Sequence, residues 1–271
     1  MLSYLHSFHA GSRTDVHKHQ ALVALLRHLT TKPRPITYME THAGRGLYDL
    51  AGDEAKKTGE AWAGIRRLQA AARKKGSRSS ADPGPHLGAY LDVVEAARTR
   101  HGATFYPGSP WIARHLLRDG DALHLMELHP VEYPALKRWM RGTGAHVHNR
   151  DGYEGVLALS PPTPRRGMVL IDPSFEIKDE YMEVAKFIPA LHRKWPEAVV
   201  LLWYPVLAAD RHKPMLAALA KAGLPDTEVH EIAFPANTEG DEMTHKGLLG
   251  SGLYILNRPF GYTLSAVAGD A

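Results

Sequence analysis

The sequence predicts an α/β protein built on a doubly wound sheet whose last strand runs antiparallel. Short strand-like apolar runs alternate with amphipathic helical stretches along most of the chain. The early runs end on carboxylates and glycines, as strands do at the ligand edge of an open sheet. Two strand-like runs then close the chain with no helical pattern between them, which turns the last one antiparallel.

The elements follow in order. Asp15 is placed to cap a helix whose apolar face is Ala21, Leu22, Leu25, Leu26 and Leu29, with Lys18 and His19 in its first turns. Pro33 and Pro35 end it. Ile36 to Glu40 reads as the first strand, followed by the small-residue turn Thr41-His42-Ala43-Gly44-Arg45-Gly46. From about 51 to 105 the pattern changes to two helical patches, Gly59 to Ala72 and Leu87 to Arg98, around a Gly/Ser/Pro-rich breaker. Lys56, Lys57, Arg66, Arg67, Arg73, Lys74, Lys75 and Arg78 crowd this stretch. It reads as a partly helical insertion whose charge is either a solvated face or a surface for a polyanion.

Ser109-Pro110 suits the cap and first position of a helix from Trp111 to Leu117. Strands are expected at Ala122 to Leu128, His146 to Arg150, Met168 to Asp172, Ala198 to Val206, Glu228 to Phe234 and Gly252 to Asn257. Helices from Val131 to Arg141, Glu154 to Leu159, Tyr181 to Lys194 and Asp210 to Ala222 separate all but the last two. The 271 residues form one domain, 1–271, with an N-terminal motif and helix over 1–30.

Composition excludes several classes. Apolar content of 44% and charged content of 23% are ordinary globular usage, so disorder is not expected. There is no run of eighteen apolar residues and no signal-peptide pattern, so neither a membrane span nor export is expected. With no cysteine there is no disulfide framework and no thiolate chemistry, and a cytoplasmic protein is the simplest fit. A formal charge of +4 is a mild bias toward anionic partners. Nothing resembles a coiled coil, and a monomer is expected.

The chemistry concentrates at the strand ends. Glu40-Thr41-His42 closes the first, Glu127 the second, Asp151-Gly152 the third and Asp172-Pro173-Ser174-Phe175 the fourth. Gly44 and Gly46 let backbone approach a ligand, but Asp49 stands where a dinucleotide fingerprint needs its third glycine, so a nicotinamide cofactor is disfavoured. Glu127 suits a pair of ribose hydroxyls and Asp151-Gly152 an adenine edge. At the fourth strand the Asp172 carboxylate can accept from an amino group while Phe175 stacks on a flat heterocycle. Read alone, that tetrapeptide is more commonly a strand end with a capping Asp and a turn proline. As a series, the strand ends match an S-adenosylmethionine (SAM) site beside an amine acceptor. The histidines His6, His9, His17 and His19 lack a recognised zinc spacing, so no metal is expected.

These residues also carry a resemblance. Met1 to Gly11, Asp15-Val-His-Lys-His19, Thr41 to Gly46, Tyr106 to Pro110, Glu127 to Pro130, Asp151-Gly152, Arg165 to Gly167, Asp172-Pro173 and Trp203 to Pro205 together resemble the RlmJ family of bacterial 23S rRNA adenine-N6 methyltransferases. The resemblance runs from Met1 to about Pro259. It implies a Rossmann-like class I methyltransferase with a mostly parallel seven-stranded sheet, an antiparallel last strand and a small helical insertion. SAM would be the cofactor, leaving as S-adenosylhomocysteine, and 23S rRNA, naked or in an assembly intermediate, the partner. The resemblance also implies cofactor contacts at His19, His42, Ser109, Glu127, Asp151, Gly152 and Asp172. Asp172 would be the catalytic proton acceptor, with Tyr4, Lys18 and Phe175 as substrate contacts. The chain departs from the usual D-P-P-[YF] motif at Ser174, which restores a backbone N–H. A DNA or small-molecule amine methyltransferase, or a non-catalytic RNA-binding protein on the same scaffold, are the alternatives.

Overall fold

The computed structural model describes residues 5–70, 85–234 and 247–264. Tyr4 and the basic residues Arg73, Lys74, Lys75 and Arg78 lie outside them. After a 3-10 turn at His6–Phe8, Ser12 caps α1 (Arg13–Thr30) by accepting from the Asp15 backbone N–H at 3.3 Å. The cap is therefore Ser12, not Asp15 as expected. Asp15 sits one turn in, where its carboxylate accepts from the Gly11 N–H at 2.9 Å.

The remaining elements are β1 (Thr37–Glu40), β2 (Leu47–Asp49), α2 (Asp53–Thr58), α3 (Pro85–His101), β3 (Phe105–Pro107), α4 (Ser109–Leu116), β4 (Ala122–Met126) and α5 (Glu132–Trp139). They continue with β5 (His146–His148), α6 (Gly152–Leu159), β6 (Gly167–Ile171), α7 (Glu180–Lys194), β7 (Val199–Leu207), α8 (His212–Lys221), β8 (Glu228–Ala233) and β9 (Leu248–Leu256). Seven strands form one sheet in the order β5-β4-β1-β6-β7-β9-β8. β4, β1, β6 and β7 pair in parallel, β5 pairs in parallel with β4, and β9 lies antiparallel to both β7 and β8.

Helices cover both faces of the central strands, so β6 is buried at all five positions. Its side chains alternate between two apolar layers. Met168 and Leu170 pack with Leu22, Leu25 and Leu26 of α1, while Val169 and Ile171 pack with Ile188 and Leu191 of α7. The core is thus a sandwich with the sheet in the middle.

The sequence reading missed β2 and β3, three residues each. They pair antiparallel, Leu47 opposite Pro107 and Asp49 opposite Phe105, so the chain leaves and returns at neighbouring points. Between them, a π-helical segment at Trp62–Arg66 docks on the turn that caps α1. The Ile65 N–H donates to the Gly11 carbonyl at 2.9 Å and Arg13 Nε donates to the Ala63 carbonyl at 3.3 Å. Gly64 has the non-helical φ/ψ of −93°/−112°, and a Cβ there would lie 2.1 Å from the Gly11 carbonyl oxygen. Only a glycine permits this backbone approach.

Gly64→Ala should therefore push the insertion off the α1 turn and lower the urea midpoint by the equivalent of ~1–3 kcal/mol. Gly88→Ala is the control. No atom lies within 4 Å of its added Cβ, and in a helix interior it should be neutral or stabilising by up to ~1 kcal/mol.

Candidate active site

The strand order reverses at β1, which has β4 on one side and β6 on the other. In an open sheet the ligand crevice lies at the carboxyl ends of the strands at such a point. A cleft opens there, and it is lined by His19, His42, Ser109, Glu127, Asp151, Gly152 and Asp172 together with Lys18. Residues spread over more than 150 positions of sequence are thus brought to one wall by four strand ends and α1.

The loop after β1 is laid across the sheet by Thr41 N–H to Leu170 carbonyl (3.1 Å) and Ala43 N–H to Met126 carbonyl (3.0 Å). Gly44, at φ +61°, then turns its N–H to Glu127 Oε2 at 2.7 Å, and the His129 N–H reaches Oε1 at 2.7 Å. Each Glu127 oxygen is oriented by one backbone donor and keeps a lone pair for a hydroxyl. Burial raises the Glu127 pKa despite those two donors. Asp151 caps α6 by accepting from the Glu154 N–H at 2.9 Å, leaving its second oxygen for a ligand amine. A Cβ on Gly152 would lie 1.9 Å from the Thr41 carbonyl oxygen, so only glycine lets α6 start this close to the β1 loop.

His19 and His42 of the cleft are neutral. Burial depresses the pKa of His19 to about 3 and of His42 to about 4. His19 Nδ1 pairs with the Tyr106 hydroxyl at 2.8 Å, and His42 Nδ1 pairs with the Thr41 hydroxyl at 2.8 Å.

Lys18 is the charged centre. Its ammonium lies 2.6 Å from Asp172 Oδ2 and 3.0 Å from Asp15 Oδ1 and is 4% exposed. Burial by itself would depress the Lys18 pKa, but the two carboxylates outweigh it and raise it. Burial would likewise raise Asp15, but His6 and Lys18 hold it well below the usual carboxylate range.

Four lining or supporting residues escaped the sequence reading. His6 lines the cleft and bonds Asp15 Oδ2 at 3.0 Å. Glu40, noted only as a strand end, is fully buried, and burial pushes its pKa well above the usual range. It accepts from the Tyr38 hydroxyl at 3.0 Å and from the Ser109 hydroxyl. Ser109 therefore serves Glu40, and Gly108 occupies the cap position of α4 that was expected of Ser109. Tyr153 and Glu180 also line the cleft. The Tyr153 hydroxyl and Glu180 Oε2 are buried with no hydrogen-bond partner, and burial lifts the Glu180 pKa to about 7.

Phe175 requires a correction. Its ring is 4% exposed and packs on Tyr181 at a centroid distance of 4.4 Å and on Trp203 at 6.2 Å. A left-handed backbone at φ +54° turns the side chain into the core, away from the cleft. In this conformation it offers no face to a base. Tyr4 lies outside the described residues. Among the described residues, no group of three or more His, Asp or Glu converges as a metal site. No helix there is long and apolar enough to cross a membrane.

SAM fits this donor and acceptor set. Glu127 suits its ribose diol, and the free oxygen of Asp151 suits the amine of a purine edge. The sheet order, the antiparallel β9 and a cleft of this chemistry at the switch point define a class I SAM-dependent methyltransferase. A family model described as Ribosomal RNA large subunit methyltransferase D, RlmJ, matches residues 33–267. Ribosomal RNA large subunit methyltransferase J of Escherichia coli (strain K12) is 36% identical over 261 residues, covering 96% of this chain and 88% of that protein. The protein of the same name from Haemophilus influenzae is 34% identical, with the same coverage. The crystal structure of LPL1258 from Legionella pneumophila superposes with a TM-score of 0.79 at 31% identity, covering 96% of this chain and 92% of that one. The chain belongs to the RlmJ family.

Two outcomes are expected. Glu127→Ala should weaken SAM binding in calorimetry by about tenfold or more, the loss of a hydrogen-bonded charged partner. The stability contributed by the buried histidines should also fall on acidification. His17, His19 and His42 have folded pKa values of about 3, 3 and 4 against 6.5 unfolded. The unfolded chain therefore binds more protons between those limits, and their contribution is full above 6.5 and lost as pH falls to about 3. Glu40, Glu127 and Glu180, whose pKa values burial raises, act in the opposite sense. The check is therefore thermal melts of wild type against His17→Gln across that window, where the variant should lose less stability on acidification.

Proposed function

We propose that this protein transfers a methyl group from SAM to the N6 amine of an adenine in 23S rRNA. The observation that carries this reading is Asp172, a carboxylate at the end of β6 lining the same cleft as the ribose and purine contacts. The names of the E. coli and H. influenzae relatives support ribosomal RNA as the substrate class.

Bound in the cleft, SAM supplies an electrophilic methyl carbon on a sulfonium sulfur. The exocyclic amine is a poor nucleophile because its lone pair is delocalised into the purine. An acceptor for its N–H that binds more tightly as the nitrogen becomes tetrahedral lowers the barrier to transfer. Asp172 is that acceptor. Lys18 takes Oδ2, so Oδ1 is the oxygen left to the amine, and the ammonium fixes its direction. Asp172 then receives the proton released by the methylated nitrogen.

The target base must leave its stack to reach this depth. Leu128 and Ile177, 47% and 61% exposed, both line the cleft and give an apolar rim for a purine face. Tyr4 is proposed at the same entrance. Ser174 also lines the cleft, where its backbone N–H is a donor that a proline would lack.

Asp172→Asn should lower the turnover of rRNA methylation by about 10²–10⁴-fold at saturating SAM. Nucleoside mass spectrometry of the product rRNA should find N6-methyladenosine. Near wild-type turnover by the variant would refute the role of Asp172, and a different methylated nucleoside would refute the N6 target.

A further inference from the structure

Trp62, in the insertion, is 68% exposed, an unusual position for an indole in a folded domain. It is also flanked by a cation. The Arg66 guanidinium lies 4.7 Å over its ring, one turn along the π-helical segment. One of its N–H groups donates to the Leu50 carbonyl at 3.5 Å; the guanidinium has five N–H donors, so others are left to pair with a phosphate. Arg66 also lines a surface hollow with Gln69, Arg98 and Thr104, whose side chains bring further N–H and O–H donors.

Arg66 covers one face of the ring, and the other face, beside a hollow lined with cationic donors, matches one unpaired nucleotide, base on the ring and phosphate in the hollow. The place suits the strand that carries the target. The segment docks through Gly64 and Ile65 on the Gly11–Ser12 turn, which caps the helix that brings Lys18 to Asp172. The surrounding face repeats the pairing of cation and ring, with Lys57 5.9 Å over Phe8 and Arg13 5.8 Å over Phe234.

We infer that Trp62 and Arg66 form a second nucleotide subsite, which holds an unpaired RNA residue flanking the methylated adenine. This rests on the reading of rRNA as substrate. The subsite grips RNA and makes no contact with SAM.

Fluorescence anisotropy of the full chain with a labelled unpaired RNA oligonucleotide tests it, with SAM calorimetry on each variant as the control for folding. Trp62→Ala should weaken RNA binding by about fivefold to a hundredfold, the loss of one base–aromatic stack. Trp62→Phe should recover most of that loss, because the π-face returns. Arg66→Ala should reduce the slope of log K against log salt by about one phosphate contact. SAM affinity should match wild type throughout. RNA binding by Trp62→Ala within about twofold of wild type, or an unchanged salt slope in Arg66→Ala, overturns the subsite and leaves the methylation reading standing. The expected variant effects on RNA binding, found together with a wild-type protein that methylates no rRNA, sink the activity and leave the subsite.

Discussion

The buried ammonium of Lys18, held between Asp15 and Asp172, is the interaction on which the rest of the site depends. Asp15 belongs to the first turn of α1 and Asp172 to the end of β6, 157 positions later in the chain. An isolated charge this deeply buried is prohibitively unfavourable, so each of the three groups requires the others. The helix that opens the chain is thereby fixed over the sheet edge where the acceptor stands. Asp15 also takes the Gly11 N–H and the His6 ring, and the turn made by Gly11 and Ser12 is where the insertion rests. One polar chain of contacts runs from the surface excursion to the acceptor carboxylate.

This explains an otherwise odd helix. Asp15, His17, Lys18, His19 and Gln20 are buried in near succession, although most are residues that favour water. Two faces of α1 are covered, one by the apolar layer and the other by the site. His17 is satisfied by Ser251 at 2.8 Å and His230 at 3.1 Å, and His19 by Tyr106. Burial keeps both rings neutral, which spares the site further positive charge beside Lys18. Glu40 shows the same economy of charge. Burial favours its protonated form, and its oxygens hold Tyr38 and Ser109.

Much of this was legible in the sequence because it is local. Strand ends with carboxylates and glycines are short motifs, and Glu127, Asp151, Gly152 and Asp172 all reach one cleft. The apolar run of β6 and those of its neighbours were equally readable. What escaped depends on distant partners. β2 and β3 are three residues long and exist because they find each other across the insertion. Ser12 and Asp15 are both good capping residues, and the docking of Gly11 decides between them. Phe175 reads as a stacking ring from its neighbours in sequence, whereas its backbone angle sends it to Tyr181 and Trp203. The burial of Glu40 is invisible until α4 delivers Ser109 to it.

A double-mutant cycle on Lys18 and Asp172 tests the central claim most directly, with unfolding free energy as the readout. Lys18→Met and Asp172→Asn should each destabilise, the former by ~3–5 kcal/mol because it strands buried carboxylates. The double variant should be more stable than the two losses predict by at least ~1 kcal/mol. Losses that simply add, to within a few tenths of a kcal/mol, would mean the two groups do not hold each other and would contradict the account.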